Sequence, residues 1–565
     1  MKKEICEAIG EIIPSVAAEE VSKLMEVPPE ETMGDFALPC FSFAKILHKS
    51  PVIIAKELQE ALKDKREALG IERLEVVSGY LNIFMDRSKY AEYWVKKIGE
   101  KDFDIKKPGT GRTVCMDYSS PNIAKNFHVG HLRTTIIGNS IYKIYDKLGY
   151  KVVRINHLGD WGTQFGKLIV AYKKWSSRAE VEEKGIEELL RIYIKFSNEV
   201  KENPELMTEA RQWFIKMEQE DEEALTIWNW FKDISLIEFE RIYKLLDVAF
   251  DSYTGESFYR SRVPALVETL KEKNLLVESE GARVIDLSDY DMPPCLITKS
   301  DGGSIYHSRD IAAVLYRKEK YNFYKCLYVT GSEQSLHFKQ VFKAVNLMGY
   351  DWTDNLVHIP YGLVRLNGAK LATRDGNIIY AEDLLKEAIE RAKELIEKKN
   401  PDLPDIDETA RKVGVGAVIF HDLFNQRIKD IDFSWNEVMN FDGATGPYVQ
   451  YTYARAKSIL SRNQTAYQEG FIDYGKLTDT VSYGVIKALS GYEEAINMAA
   501  DRYEPSIVAR YVISLASAFN KFYNQCSILS APEEEKKARL LLVDLVQRVI
   551  KDCSGLLGIQ CPEKM

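Results

Sequence analysis

The sequence lacks the features that mark secreted, membrane-spanning or zinc-stabilised proteins. None of its eight cysteines forms a CxxC pair, and dispersed cysteines in a long chain are typical of a reduced, cytoplasmic protein without a cysteine-built zinc site. No stretch approaches the roughly 18 apolar residues of a transmembrane helix, so no membrane association is expected. The first residues, MKKEICEAIGEIIPSVAAEE, contain no long apolar run, so we expect no secretory signal.

The chain has no long block of residues that carry charge of one sign. Charged residues make up 28% of the sequence and the net charge is −9, with a pI of about 5.7. An acidic chain repels nucleic acid in general. Any contact with RNA therefore has to come from local basic surface.

The chain has enough apolar residues for several cores. It has 565 residues and is 45% hydrophobic, which at roughly 150 residues per domain predicts three or four domains. We predict a small α+β domain at 1–107, an α/β domain at 112–385 with a helical insertion at about 177–245, and an all-helical domain at 405–565. Turn-rich segments at 106–111 (KKPGTG) and 398–405 (KKNPDLPD) separate them.

The start of the α/β domain predicts a parallel sheet. Residues 114–118 have the pattern of a strand, a helix follows from about His131, and 151–155 form a second strand. A strand, a helix and a strand in this order are typical of a βαβ unit. Short β-rich segments at 283–365 predict the second half of the same sheet.

The most informative motif is SSPNIAKNFHVGH at 119–131, which lies between the first strand and the helix. A helix N-terminus presents unpaired N–H groups and a positive dipole to phosphate. His128 and His131 can offer either a hydrogen bond or a positive charge to phosphate oxygens, Gly130 permits close approach of the backbone, and Lys125 adds a charge. The alternative for so short a motif is a loop with two ordinary surface histidines.

Longer stretches resemble one family. SSPNIAKNFHVGHLRTTIIGNS (119–140) is similar to the HIGH-signature segment of arginyl-tRNA synthetases, and NHLGDWGTQFGKL (156–168) to the block that follows it. YHSRD (306–310), GSEQSLH (331–337), GATGPYVQYTYARAKSIL (443–460) and GDFALPCFSFAK (34–45) extend the resemblance over nearly the whole chain. It implies a Rossmann-like parallel-sheet catalytic domain of the HIGH-type nucleotidyl transferases, a small α+β N-terminal domain and an all-α anticodon-binding domain.

The resemblance also implies roles for individual residues. It assigns the phosphates of ATP to His128, Gly130, His131 and Lys125. It assigns the substrate arginine to six residues, which are Asp117, Ser120, Asn122, Tyr306, Asp310 and Gln334. Carboxylates and a tyrosine hydroxyl suit a guanidinium, which is planar, permanently charged and rich in donors. Taken singly, Asp117 or Asp310 could equally be a surface or capping carboxylate.

The lysine-rich KMSKS loop of class I enzymes is degenerate in this chain. The matching stretch is KLATRDG at 370–376, and Thr373 stands where the second lysine is expected. The resemblance implies that Lys370 and Arg374 contribute to catalysis and that Lys125 supplies the missing charge. The physics requires a cation near the phosphates and does not specify which element brings it.

Two places are predicted to contact tRNA. Residues 451–462 contain three cations and no acidic residue, and Tyr451, Arg455 and Lys457 have the basic and aromatic character that suits unpaired bases. An ordinary helix face with a few cations is the alternative. The segment GYLN at 79–82 resembles the element of the family that reads the tRNA elbow, so Tyr80 and Asn82 are candidates there.

The resemblance implies arginine–tRNA ligation with ATP, Mg²⁺ carried by ATP, tRNA(Arg) and L-arginine as partners, no metal held by the protein, and a monomer. Three alternatives remain open at this point. They are a small-molecule adenylyltransferase, another class I aminoacyl-tRNA synthetase, and a tRNA-binding paralogue without catalysis. The length of the chain, the absence of clustered Cys and His, and the intact HxGH motif respectively argue against them.

Overall fold

The computed structural model describes residues 1–299, 305–366, 369–370, 380–462 and 472–565. The chain divides into two compact units. One unit contains residues 1–104, 456–491 and 515–549, and the other contains residues 105–455, 492–514 and 550–565.

The first unit opens with a small antiparallel sheet surrounded by helices. Its elements are α1 (Lys2–Ile12), α2 (Ala18–Leu24), β1 (Phe36–Pro39), α3 (Ala44–Leu47), α4 (Pro51–Ala61), β2 (Ile71–Val77), β3 (Tyr80–Met85) and α5 (Arg87–Gly99). The sheet order is β1-β3-β2. Ser78 and Gly79 join β2 to β3 with φ of 50° and 88°, as a tight hairpin turn with two left-handed positions requires.

The second unit opens with the βαβ unit that the sequence predicts. It contains β4 (Thr113–Asp117), α6 (Val129–Lys147) and β5 (Lys151–Ile155), and β4 and β5 pair in parallel. β4 is buried along almost its whole length, which is typical of a strand covered on both faces. Gly149 follows α6 with φ of 83°, the left-handed position at which glycine often ends a helix.

A long excursion separates β5 from the rest of the parallel sheet. It contains α7 (Thr163–Trp175), α8 (Arg178–Lys184), α9 (Ile186–Glu199), α10 (Glu205–Glu218), α11 (Glu222–Leu246), α12 (Glu256–Tyr259) and α13 (Val263–Glu272). A small antiparallel sheet of β6 (Val277–Ser279), β7 (Ala282–Ile285) and β8 (Cys295–Thr298) follows.

The chain then completes the parallel sheet. α14 (Tyr306–Tyr321), β9 (Lys325–Gly331), α15 (Ser335–Leu347) and β10 (Leu356–Tyr361) follow in order. The sheet order is β10-β9-β4-β5, with every neighbouring pair parallel. One face of the sheet packs on α13, α14 and α15 through a buried cluster that includes Ile155, Leu270, Val314 and Val345.

The remaining elements are mostly helical. They are β11 (Val364–Leu366), β12 (Ala369–Lys370), α16 (Ala381–Lys399), α17 (Ile406–Phe424), β13 (Ile431–Phe433), α18 (Trp435–Val438), α19 (Gly446–Ser461), α20 (Thr480–Ser490), α21 (Tyr492–Asp501), α22 (Ser506–Gln525) and α23 (Glu533–Leu556). The parallel sheet, the small α+β region and the helical C-terminal region confirm the predicted fold class. Among the described helices, none combines the length and the apolar character needed to cross a membrane.

Candidate active site

A cavity of about 400 Å³ lies in the second unit where the parallel strands end. Ser119 and Ser120 follow β4, Gly331 ends β9, and Tyr361 ends β10. Parallel α/β sheets generally bind ligands at the carboxyl ends of their strands. Among the predicted site residues, the cavity is lined by Ser120, Asn122, His128, Gly130, His131 and Gln334.

The two histidines of the HxGH motif begin α6. The Nδ1 atom of His128 accepts from the backbone N–H of Gly130 at 3.1 Å, and the Nδ1 atom of His131 accepts from the backbone N–H of His128 at 3.3 Å. The rings stack with their centroids 3.8 Å apart. Because both Nδ1 atoms accept, each neutral ring carries its proton on Nε2 and keeps that N–H to donate. A Cβ on Gly130 would lie 2.9 Å from the His128 ring, so the close fit requires glycine.

Both imidazoles are neutral at physiological pH. Burial lowers the pKa of His128, and the charge of Lys125 lowers it further. Burial, with His128 and Lys125, holds the pKa of His131 well below its usual value. The pair therefore offers hydrogen-bond donors, and exposed Lys125 offers the positive charge.

The backbone before the histidines is held in an unusual conformation. Ser119, Ser120 and Ala124 have φ of 69°, 45° and 58°, in the left-handed region that such residues rarely adopt. The N–H of Ala124 donates to Ser235 Oγ at 2.9 Å. Strain of this kind clusters at functional sites because the surrounding structure must hold it in place.

Asp117 and Ser120 are held by bonds within the protein. One Asp117 oxygen accepts from buried Arg317 at 2.7 Å and the other accepts from Ser120 Oγ at 2.7 Å. The backbone N–H of His157 donates to Ser120 Oγ at 3.0 Å, and Arg317 also lies 3.2 Å from the ring atom His157 Nδ1. Carboxylate oxygens have further lone pairs, so contact of Asp117 with a substrate stays a prediction.

Asp310 and Tyr306 lie one turn apart on α14. His337 Nε2 lies 2.6 Å from one Asp310 oxygen, and His157 Nε2 lies 3.7 Å from the other. Burial alone would raise the pKa of Asp310, but the hydrogen bond and charge of His337, with His157 and Arg317, lower it. Asp310 is thus an ionised carboxylate fixed by an imidazole on each side. Tyr306 is 56% exposed.

Glu256 is a candidate that the sequence reasoning missed. It begins α12, is buried, and pairs with Arg309 at 3.0 Å. Burial raises its pKa to about 8, with Arg309 opposing and the carboxylates of Asp310 and Asp160 adding to the rise. Its charge also raises the pKa of Tyr306, after burial of that phenol. Glu256 lies about 50 residues before Tyr306, and no local motif pointed to it.

Asn122 packs against a glycine of the next motif. An isolated parallel bridge joins Asn122 to Gly159, and the Ile123 N–H donates to the Gly159 carbonyl at 3.3 Å. A Cβ on Gly159 would lie 2.0 Å from the Asn122 amide oxygen. The glycine of NHLGDWG is therefore required for the position of Asn122.

The degenerate KMSKS-like segment is described only in part. The backbone of Lys370 ends β12, and Arg374 lies outside the described residues. The predicted roles of both stay predictions. Gln334 and Glu333 line the cavity beside the end of β9.

The residues predicted to contact tRNA belong to both units. In the first unit, Tyr80 is half-buried with its ring 5.4 Å from that of Phe41, and Asn82 is buried. In the second unit, Tyr451 is 37% exposed and the Arg455 guanidinium lies 4.8 Å from its ring centroid. Lys457 lies farther along α19, in the part of that helix that belongs to the first unit.

A larger cavity of about 990 Å³ lies between α8, α9, α11 and α16. Acidic side chains dominate its charged lining, including Glu183, Glu187, Asp233, Glu238 and Asp383. Carboxylates repel phosphate, so the smaller cavity with the imidazole donors is the better candidate for a nucleotide. Among the described residues, no group of three or more His, Cys, Asp or Glu side chains is placed to hold a metal ion.

The parallel sheet, the HxGH helix and the surrounding domains define a class I aminoacyl-tRNA synthetase. A family model described as "tRNA synthetases class I (R), catalytic domain" matches residues 95–435. Models described as "DALR anticodon binding domain" and "Arginyl tRNA synthetase N terminal domain" match residues 449–565 and 1–85. The methionyl-tRNA synthetase of Mycobacterium tuberculosis shares the fold alone, with 11% identity and a TM-score of 0.51 over 80% of this chain and 92% of that one.

The chain belongs to the arginyl-tRNA synthetase family. It is 48% identical to an arginine–tRNA ligase of Clostridioides difficile, over 100% of this chain and 99% of that protein. It is 49% identical to one of Clostridium beijerinckii, over 100% of both. The arginyl-tRNA synthetase structure of Plasmodium falciparum superposes with a TM-score of 0.82 at 27% identity, covering 100% of this chain and 98% of that one.

Proposed function

We propose that this chain ligates L-arginine to tRNA(Arg) with ATP, in two steps at the cavity beside β4 and β9. The relatives named arginine–tRNA ligase match it along its whole length. The observation that carries the proposal is the shared lining of this cavity, which brings the two imidazole donors together with Ser120. Ser120 accepts from the backbone N–H of His157, and the ring of His157 lies 3.7 Å from the ionised carboxylate of Asp310.

In the first step, a carboxylate oxygen of arginine attacks the α-phosphorus of ATP. A new P–O bond forms, the bond to the bridging oxygen breaks, and pyrophosphate leaves with its electron pair. His128 and His131 donate from Nε2 to phosphate oxygens as negative charge builds up, and Lys125 supplies the cation. These groups are preorganised by the helix cap, so they need little rearrangement during the reaction.

The second step transfers arginine to the tRNA. The 2′-hydroxyl oxygen of the terminal adenosine attacks the activated carbonyl carbon, its proton passes to a phosphate oxygen of the departing AMP, and AMP leaves with the electrons of the acyl–oxygen bond. The protein forms no covalent intermediate, so its residues act by position and charge.

A magnesium ion carried by ATP fits the lining of the cavity. Among the described residues that line the cavity, Glu333 is the one with a carboxylate, and Mg²⁺ in such sites is held mainly by substrate phosphates and water with one or two carboxylates. When bound, the ion neutralises phosphate charge and orients the leaving group. Glu333 would be the protein group nearest to hold it.

Specificity for arginine is assigned to the carboxylates and the phenol around Asp310. Asp310 and Glu256 supply carboxylates for the guanidinium and Tyr306 supplies a hydroxyl. Ser120, Asn122 and Gln334 line the cavity, where Ser120 and Asn122 would hold the backbone groups of arginine and Gln334 would add a further contact. Asp117, which accepts from Ser120 Oγ, is a further carboxylate for the guanidinium. A guanidinium is always charged, so a fixed anion is the physical basis for its selection.

The function is tested by ATP–pyrophosphate exchange with each amino acid, with and without total tRNA. Exchange with arginine and with no other amino acid supports the proposal. If this exchange occurs only when tRNA is present, activation of arginine requires bound tRNA. Exchange with a different amino acid would show that the carboxylate pocket is misassigned. Folded protein that binds tRNA but gives no exchange would support the non-catalytic paralogue.

The affinity for arginine is expected to rise with pH because of Glu256. Its pKa is raised to about 8, so the carboxyl is mostly protonated at neutral pH and becomes an anion as pH increases. A bound guanidinium favours the anion, so we expect KM for arginine to fall about tenfold between roughly pH 6.5 and 8.5. Arginine titrations of the exchange rate across this range measure the effect.

Glu256→Gln is the matched variant for this experiment, since it keeps the shape and removes the titration. It should have a high KM for arginine that no longer falls over the same range. Arg309, Asp310, Asp160 and Tyr306 are the charged or titratable neighbours. An identical pH dependence in the variant would assign the effect to one of those groups.

Tyr451 is expected to contribute to tRNA binding. Stacking of a base on an aromatic ring contributes about 1–3 kcal/mol, so Tyr451→Ala should raise the Kd for tRNA(Arg) by about 5- to 150-fold. Tyr290→Ala is the control, because Tyr290 is also exposed at 43% and also has a cation, Lys343, over its ring at 3.6 Å. Equal effects of the two substitutions, measured by filter binding, would remove Tyr451 from the interface.

The family resemblance also supports two proposals about the oligomeric state and the location of the protein. We propose that the chain acts as a monomer, which sedimentation equilibrium with and without tRNA tests. We also propose a cytoplasmic location, with which eight free cysteines are compatible.

A further inference from the structure

Arg133 is a fully buried arginine in the first turns of α6, two residues after His131, with 0% of its surface exposed. Its guanidinium donates to four backbone carbonyls, those of Gly362, Leu363, Arg427 and Lys429, at 2.8, 2.9, 3.0 and 2.9 Å. The Nε atom lies 3.6 Å from buried Asp422, which balances the charge. One side chain thus binds two chain segments that are about 65 residues apart.

Both segments lead directly into one small sheet. Residues 362–363 precede β11 and residues 427–429 lead to β13, and β11 and β13 pair in parallel. The other neighbour of β11 is β12. β12 ends at Lys370, the first residue of the KLATRDG segment. Arg133 therefore anchors the base of the hairpin that leads into this segment.

The other end of the same segment is attached to the HxGH motif as well. Tyr380 forms an isolated antiparallel bridge with His128, and the Ala381 N–H donates to the Phe127 carbonyl at 2.9 Å. The chain on either side of residues 371–379 is thus bound to the single stretch 127–133. This arrangement fixes the distance from the two histidines to the residues on either side of 371–379, the segment predicted to bind the phosphates.

We propose that Arg133 is a positioning residue for adenylation. It holds β11 and β12, which lead into the KLATRDG segment, at a fixed position relative to the HxGH histidines. This inference rests on the proposed function of the site. Arginine suits the task because its planar fork offers five donors in fixed directions, whereas lysine offers three from one atom. The arginine-binding carboxylates are separate from this clamp, so it acts on the phosphate end of the reaction.

The test is Arg133→Lys, which keeps the charge and cannot reach four carbonyls at once. We expect kcat for ATP–pyrophosphate exchange to fall on the order of 10- to 100-fold, as for a reacting group displaced by about 1 Å. KM for arginine and the Kd for tRNA should stay within about twofold of wild type. The control is Lys147→Met, which removes the ion pair with Asp552 at the other end of α6 and should leave kcat unchanged.

A kcat per folded molecule equal to that of wild type would overturn the proposal and leave Arg133 with a structural role only. A parallel loss in kcat and in arginine and tRNA binding would overturn it too, since it would indicate general distortion. Absence of exchange with arginine in the wild-type chain would instead contradict the proposed function.

If Arg133→Lys does not fold, Asp430→Ala provides the measurement. Exposed Asp430 accepts from the Leu363 N–H at 2.8 Å and pairs with Arg365 at 2.8 Å, so its removal loosens β11 and β12 from the surface. We expect a smaller decrease in kcat, about three- to tenfold, with KM for arginine unchanged. An unchanged kcat in this variant would contradict the proposal.

Discussion

Replacing Asp310 with Asn is expected to raise KM for arginine by about two to three powers of ten, with KM for ATP within about twofold of wild type. The substitution keeps the shape of the side chain and removes the charge that a bound guanidinium would face. Breaking a buried charged pair costs about 3–5 kcal/mol, because the remaining charge is left without a partner. Steady-state exchange assays with varied arginine and varied ATP separate the two constants.

Asp251→Asn is the matched control for this prediction. Asp251 is also an ionised aspartate, paired with Arg154 at 2.8 Å, and it is not one of the predicted arginine-binding residues. Its substitution should leave both KM values unchanged. A normal KM for arginine in Asp310→Asn would show that Asp310 does not hold the guanidinium, and Glu256→Gln would become the decisive variant.

Substituting His128 and His131 together with Asn is expected to reduce the rate of adenylate formation by about four to six powers of ten. Each Asn can place an amide oxygen near the former Nδ1, so the caps of α6 are retained, while the Nε2 donors are lost. Removal of one preorganised donor to a developing charge costs about two to three powers of ten. Single-turnover formation of arginyl-adenylate gives the rate without interference from product release.

The amide geometry also provides a rescue test. Glutamine reaches farther than asparagine and can place an N–H near the former Nε2, so His128→Gln should recover part of the rate lost in His128→Asn. Exposed His48 in the first unit provides the control His48→Asn, with no effect on adenylation expected. Near-normal rates in the double asparagine variant would contradict the assignment of the HxGH motif to the phosphates.

Local features of the fold were predictable from the sequence. The strand before the HxGH motif, the helix after it and the strand beyond Gly149 follow from apolar periodicity and turn residues, and the structure confirms this βαβ unit. The β-rich residues on both sides of Ser78-Gly79 are likewise typical of two short strands, and the structure pairs these strands as a hairpin. These signals lie within a few residues of the elements they specify.

Buried partnerships were not predictable in the same way. The Asp117 carboxylate is bonded to Arg317, 200 residues along the chain, and Asp310 is fixed by His157 and His337 from two different elements. Nothing in the local sequence separates a buried, paired carboxylate from an exposed one. Glu256 was missed for the same reason, since its raised pKa comes from burial among groups that only the fold brings together.

The protonation of the HxGH histidines also depended on the fold. The sequence left open whether they donate a hydrogen bond or a positive charge. Burial and Lys125 lower both pKa values, and the neighbouring His128 further lowers that of His131, which favours the neutral donors. The sequence shows the two histidines and Lys125, but the protonation state of the histidines depends on how the fold buries them.

The internal ion pair of Asp117 with Arg317 has a consequence for substrate fidelity. Since these two charges cancel within the protein, the proposed function gives the selection of a cation to the carboxylate of Asp310. Citrulline has nearly the same shape as arginine but is neutral, and it presents a carbonyl oxygen where arginine presents an N–H group. In the proposed site that oxygen would face the Asp310 carboxylate, whose lone pairs on the substrate side would lose the N–H donor that arginine supplies. A site that depends on such a contact rejects an analogue lacking it by about four to five powers of ten, and at that ratio no separate hydrolytic correction step is needed.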